Sequence, residues 1–195
     1  MTRKYEQRQR AEKVEETRRR IVEATVALHL DRGPAATSIA EVARRAGVQR
    51  RTVYNHFPND ASLFSACSAH WRARHPAPAP AAWPDLRDGL RELFAWYRET
   101  EPMTGNVLRD AELLPSLRGV IEPGLVAYLA VVRQALSRLS GGGRRVEVAV
   151  NVVTDLHVWR TLAALGDEQA AELAAELVEA ARRGRPRRSA RPGRP

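Results

Sequence analysis

Apolar side chains recur at helical spacing along almost the whole chain, and the polar breaks between the runs set out a series of helices. The first apolar face begins at Val14 and continues through Ile21, Ala24, Thr25, Leu28 and Leu30. This predicts a helix from about Val14 to Asp31, with room to extend back toward Glu6, ended by Gly33-Pro34. Ser38 followed by Glu41 is a capping box, so a short helix with Ile39, Val42 and Ala43 inward is expected up to Gly47. Val53 and Phe57 then stand four apart, which predicts a second short helix through Arg51–Phe57 that buries both. A further helix is expected over about 60–74 on Leu63, Phe64 and Cys67. Four prolines in HPAPAPAAWP at 75–84 then favour an extended spacer.

Beyond the spacer the pattern resumes. Leu86, Leu90, Leu93, Phe94 and Tyr97 predict an amphipathic helix to about Thr100, punctuated by Pro102 and Gly105 and followed by a short helix at about 104–111. A long helix is expected from about Glu122 or Pro123 to Leu139, then a flexible break at Gly141–Gly143. The stretch RRVEVAVNVVTDLHVWRTLAALG is β-branched enough to suggest a strand by propensity alone, but its length argues for one helix with two apolar faces. A last amphipathic helix is expected over Asp167–Arg182. The fold class is therefore all-α, with a helix-turn-helix in its N-terminal part and a larger helical body beyond the spacer. In residue terms this is a basic arm (1–13), the head (14–60), a connecting helix (61–75), the spacer (76–84), the body (85–182) and a basic tail (183–195).

Charge sharpens this picture. Residues 1–60 hold 13 basic and 8 acidic side chains, residues 61–182 hold 13 and 15, and residues 183–195 hold 6 and none, within a net charge of +9. The affinity for a polyanion therefore belongs to the two ends. In the second short helix Arg50, Arg51, Thr52, Tyr54, Asn55 and His56 face outward with no carboxylate among them, a composition suited to phosphates and base edges. No run of 18 apolar residues occurs and the N-terminus MTRKYEQRQR is too polar for a signal peptide, so a cytoplasmic protein with no membrane partner is expected. The single Cys67 cannot form an internal disulfide.

Residues 37–64, with AGV at 46–48, TVYNHF at 52–57 and Leu63-Phe64 just beyond, resemble the DNA-binding motif of the TetR (tetracycline repressor) family of transcriptional regulators. The resemblance implies that Thr37 or Ser38 caps the second helix at a phosphate. Thr52, Tyr54 and His56 would hold the DNA backbone, and Arg50, Arg51 and Asn55 would read base edges. It implies a homodimer on a palindromic operator of double-stranded DNA, most often a repressor released by a small-molecule effector. Two positions depart from the family pattern: Gln49 replaces a small polar cap, and Asp60 stands where the family commonly has a phosphate-meeting Lys.

In the body, Trp96, Tyr97, Met103, Asn106, Arg109, Tyr128, Asn151, Asp155, His157 and Trp159 are the candidates to line an effector pocket. Val148, Val152, Leu156, Trp159, Ala163, Ala171, Ala174, Ala175 and Val178, on the last two predicted helices, are the candidates for the dimer interface that the resemblance implies. The scattered histidines have poor metal spacing, and no nucleophile motif or phosphate-binding loop is present, so neither a metal, a cofactor nor catalysis is expected. Arg183-Gly184-Arg185-Pro186 resembles the core of an AT-hook, in a tail otherwise read as a non-specific basic segment. Two other readings remain open: a ligand-free regulator or organiser of DNA acting through head and tail, and a helical enzyme or partner-binding module.

Overall fold

The structure is a computed structural model that describes residues 2–184, with side chains from Tyr5 onward. Its described residues form helices and turns, with no strand. The helices are α1 (Thr2–Arg32), α2 (Ile39–Ala46), α3 (Arg50–His56), α4 (Asp60–Arg74), α5 (Leu86–Ala111), α6 (Pro115–Ile121), α7 (Ala127–Leu139), α8 (Arg144–Val153), α9 (Leu156–Leu162) and α10 (Asp167–Arg183). The chain divides into two compact units, one of residues 1–77 and 97–128 and the other of 78–96 and 129–195. Residues 97–128, read from sequence as body, thus pack with the head.

The first unit is built on α1. Ile21, Val22, Ala24 and Leu28 bury against Val42, Ala43 and Ala46 of α2, Val53 and Phe57 at α3, and Leu63 and Cys67 of α4. A second cluster forms where Phe64 of α4 meets Ala111, Leu117 and Ile121. Helix α1 runs unbroken from Thr2, so the basic arm continues the helix, with Arg8 pairing to Glu12 at 3.0 Å.

In the second unit α8 and α10 pack face to face: Val146, Val150 and Val153 are buried on one, and Ala170, Ala171, Ala174, Ala175 and Val178 on the other. The small alanines allow the backbones to approach. Arg87 bridges α5 to α10 through Glu172 at 3.0 Å and Glu179 at 2.7 Å.

Three sequence expectations are corrected. Helix α5 does not break at Pro102 and Gly105 but continues to Ala111. The segment before α7 is also helical, α6 running through a wide turn at Glu122–Val126 directly into α7. Conversely, the single helix expected over 144–166 is cut at Thr154–Asp155, because Asp155 Oδ1 accepts from the His157 and Val158 N–H groups at 2.9 and 3.2 Å and starts α9 afresh.

Candidate nucleic-acid interface

The helix-turn-helix is held at its corners. Ser38 Oγ accepts from the Glu41 N–H at 3.3 Å while Glu41 Oε2 accepts from the Ser38 N–H at 3.1 Å, completing the expected capping box. The Ser38 N–H holds the Glu41 carboxyl below the usual range. Thr37 turns backward instead, its hydroxyl donating to the Gly33 carbonyl at 2.8 Å. At the other end Gly47 adopts φ 65°, ψ 40°, a left-handed conformation that lets the chain leave α2, and the Val48 N–H returns to the Ala43 carbonyl at 2.9 Å.

Helix α1 then locks this turn. Arg20 Nη2 donates to the Ala46 carbonyl and, at 3.2 Å, to that of Gly47, which satisfies the carbonyl end of α2 with a cation. Two residues earlier, the Arg18 guanidinium lies 4.5 Å from the centre of the Phe57 ring, the residue that closes α3. Sequence reasoning missed both arginines, whose partners are more than 25 positions away, and it also passed over Arg44 and Arg45, exposed on the last turn of α2.

With Val53 and Phe57 buried as expected, α3 presents Arg50, Arg51, Tyr54 and Asn55 fully outward and Thr52 and His56 half-buried. None of the Arg50, Arg51, Tyr54 and Asn55 side chains is spent on a protein partner among the described residues. Gln49 at the N-cap makes no side-chain cap bond, and its carbonyl accepts from the Thr52 N–H at 2.9 Å. The face is thus a rigidly held, cationic donor surface with no acid in the first turn of its helix. In α4 the cap is Asn59, whose Oδ1 accepts from the Ser62 N–H at 2.9 Å, and Asp60 is exposed as the first residue of the helix.

Residues 21–67 match the family described as "Bacterial regulatory proteins, tetR family". Over these residues the chain is similar to that family. Its similarity to the HTH-type transcriptional regulator TtgR of Pseudomonas putida is 42% identity over 59 residues, 30% of this chain and 28% of TtgR, so the match spans well under a third of that relative. An uncharacterized HTH-type transcriptional regulator of Mycobacterium bovis is 26% identical over 170 residues, covering 83% of this chain and 90% of that one. A crystal structure of a tetR-family transcriptional regulator from Streptomyces coelicolor superposes with a TM-score of 0.50 at 23% identity, covering 86% of this chain and 79% of that one, and it shares the fold.

The residues predicted to line a pocket differ in burial and in bonding. Tyr97, Met103 and Trp159 are buried packing residues. Trp96 and Tyr128 are half-buried. Asn106 and Arg109 turn to α1, as described below. Asn151 is exposed with its amide on the Glu147 carbonyl at 2.9 Å, Asp155 caps α9, and His157 is exposed. A crevice of about 170 Å³ does open in the second unit between Asp85, Leu86, Arg87, Leu139, Ser140, Glu179 and Arg182. It is small beside the roughly 300–1,000 Å³ of typical ligand sites.

Of the residues predicted for a dimer interface, Leu156, Trp159, Ala171, Ala174, Ala175 and Val178 are buried inside the protomer. Those of α10 pack against α8, while Leu156 and Trp159 belong to α9. Ala163 is half-buried, while Val148 and Val152 are 57% and 50% exposed, one turn apart on α8, and Leu177 of α10 is 48% exposed. Cys67 is buried, and desolvation pushes its thiol up to about 12, away from the reactive thiolate form. The tail residues 185–195, with most of the AT-hook resemblance, and the Arg3 and Lys4 side chains lie outside the description.

Proposed function

We propose that this chain is a DNA-binding transcriptional regulator that sets α3 in the major groove of an operator, as a cytoplasmic homodimer with one head per half-site. The observation that carries this reading is the α3 face itself: four outward side chains with unspent hydrogen-bonding groups on a helix fixed at both ends. One such helix reads few base pairs, and a two-fold dimer supplies the second half-site. The exposed Val148, Val152 and Leu177 are the apolar surface that a second copy would cover.

Repression relieved by a small molecule fits the family, and it requires an effector that prefers the DNA-released conformation. The concentration of positive charge in residues 1–60 and 183–195 favours a second reading, regulation without an effector, in which head and basic ends act alone. Nothing in either reading calls for catalysis.

The test is alanine substitution on α3. Arg51→Ala and Asn55→Ala should each weaken binding to a duplex enriched by the wild-type protein, by about 1–3 kcal/mol. Arg160→Ala, an exposed cation in the second unit, should leave it unchanged. Equal affinity of all three variants would remove α3 from the interface.

A further inference from the structure

We propose that Asn106, Arg109 and Asp110, at the end of α5, are positioning residues for DNA binding, holding the corner between α1 and α2 on which the helix-turn-helix is hung. The inference rests on the DNA-binding reading above and adds a residue set outside the recognition motif.

At the end of helix α1 the His29 carbonyl accepts from the Gly33 N–H at 2.9 Å, and the last turn takes further donors from α5. Asn106 Nδ2 donates to the His29 carbonyl at 2.9 Å and to the Leu30 carbonyl at 3.1 Å. Arg109 Nη2 reaches the Arg32 carbonyl at 3.4 Å, and its Nη1 donates to Asn106 Oδ1 at 3.0 Å, which orients the amide. Arg109 Nε donates to Asp110 Oδ1 at 2.7 Å, and Asp110 Oδ2 accepts from the Ala35 N–H at 2.8 Å.

Asp110 is 1% exposed, so this carboxylate is held out of water and depends on those donors. From Ala35 the order passes along the chain: Thr37 is tied to Gly33, and Ser38 starts α2. The Asp110–Ala35 bond thus lies three residues before Ser38, the N-cap of α2.

The loop is shaped to receive this clamp. Gly33 has φ 91°, and a Cβ there would fall 2.4 Å from both Arg109 Nη2 and Asp110 Oδ2. Only glycine supplies both the backbone conformation and the space. A change in α5 that shifts its last turn therefore acts on the α1–α2 corner directly.

The experiment uses the full chain, a duplex enriched by the wild type from a random-sequence library, and a scrambled duplex of the same length. Asn106→Ala, Arg109→Ala and Gly33→Ala should each lose tenfold or more in affinity for the enriched duplex. Their affinity for the scrambled duplex should stay within twofold of the wild type, and their far-UV circular dichroism should be unchanged. Amide exchange at Ala35 should quicken in Gly33→Ala, and Arg109→Lys should recover part of the lost affinity. If Gly33→Ala does not fold, Asn106→Ala decides, since that half-buried amide caps carbonyls at the edge of solvent. Folded variants that keep wild-type affinity for the enriched duplex overturn this inference alone. Failure of the wild type to enrich any duplex overturns the DNA-binding reading and this inference with it.

Discussion

At Gly47 a side chain would face two obstacles at once. The backbone sits at φ 65°, and a Cβ would lie 3.0 Å from the Arg20 Nη2 that caps the same turn. Gly47→Ala should therefore cost about 1–2 kcal/mol and lower the melting temperature by roughly 2–8 °C. An unchanged melting temperature would refute the strain. His29 gives a pH signature. Burial lowers its pKa from 6.5 to about 4, with the Asp110 charge opposing weakly, so the folded state holds the ring neutral while the unfolded state takes a proton first. The resulting stability is complete above pH 6.5 and is lost as pH falls toward 4, by at most about 3 kcal/mol. His29→Phe should flatten that part of the stability profile in denaturant titrations, and an unaltered slope would assign the loss to other groups. These two residues also mark what sequence reveals. Ser38, Glu41 and Gly47 were legible because their partners lie within five positions, whereas the Asp110–Ala35 bond spans 75 positions and leaves no local pattern.

At the scale of elements, local propensity misled where packing prevailed. Pro102 costs α5 one backbone bond, roughly 3 kcal/mol in an exposed helix, yet buried Tyr97, Thr100, Met103 and Thr104 carry one face straight past it. The reverse occurs at Thr154–Asp155, where a continuous apolar pattern is cut by a side-chain cap visible only once Asp155 is seen beside the His157 N–H. Helix α4 holds the clearest functional departure. Asn59 provides its cap, so Asp60 is dispensable for starting it and projects into solvent. Asp60→Lys should tighten operator binding and steepen its salt dependence by about one phosphate contact, at a helix-dipole cost of about 0.3–1 kcal/mol in stability. Anisotropy titrations at several salt concentrations check this; an unchanged slope would place Asp60 away from DNA.

For the molecule as a whole, the all-helical class and the helix-turn-helix head were readable from periodicity and motif, but the way units are assembled from distant segments was not. Residues 97–128 join the head through Phe64, Ala111, Leu117 and Ile121, a pairing that no spacing rule exposes. An alanine-rich face suits a neighbour in the same chain as well as one in another, and Ala171, Ala174 and Ala175 are buried within this one. On α8 and α10 the exposed large apolar side chains are Val148, Val152 and Leu177. Val148→Asp with Val152→Asp should therefore reduce the mass measured by light scattering from twice 21.8 kDa to 21.8 kDa, leaving helicity intact. A double variant that stays dimeric would move the interface elsewhere.

The most direct measurement is a fluorescence-anisotropy titration of the wild-type protein on its enriched duplex beside a scrambled duplex of equal length, with stoichiometry determined at saturation. An operator reader built on the α3 face should bind the enriched duplex at least about a hundredfold more tightly, with two protomers per site. Equal and steeply salt-dependent binding to both duplexes would contradict it, since phosphate attraction alone would then account for the affinity.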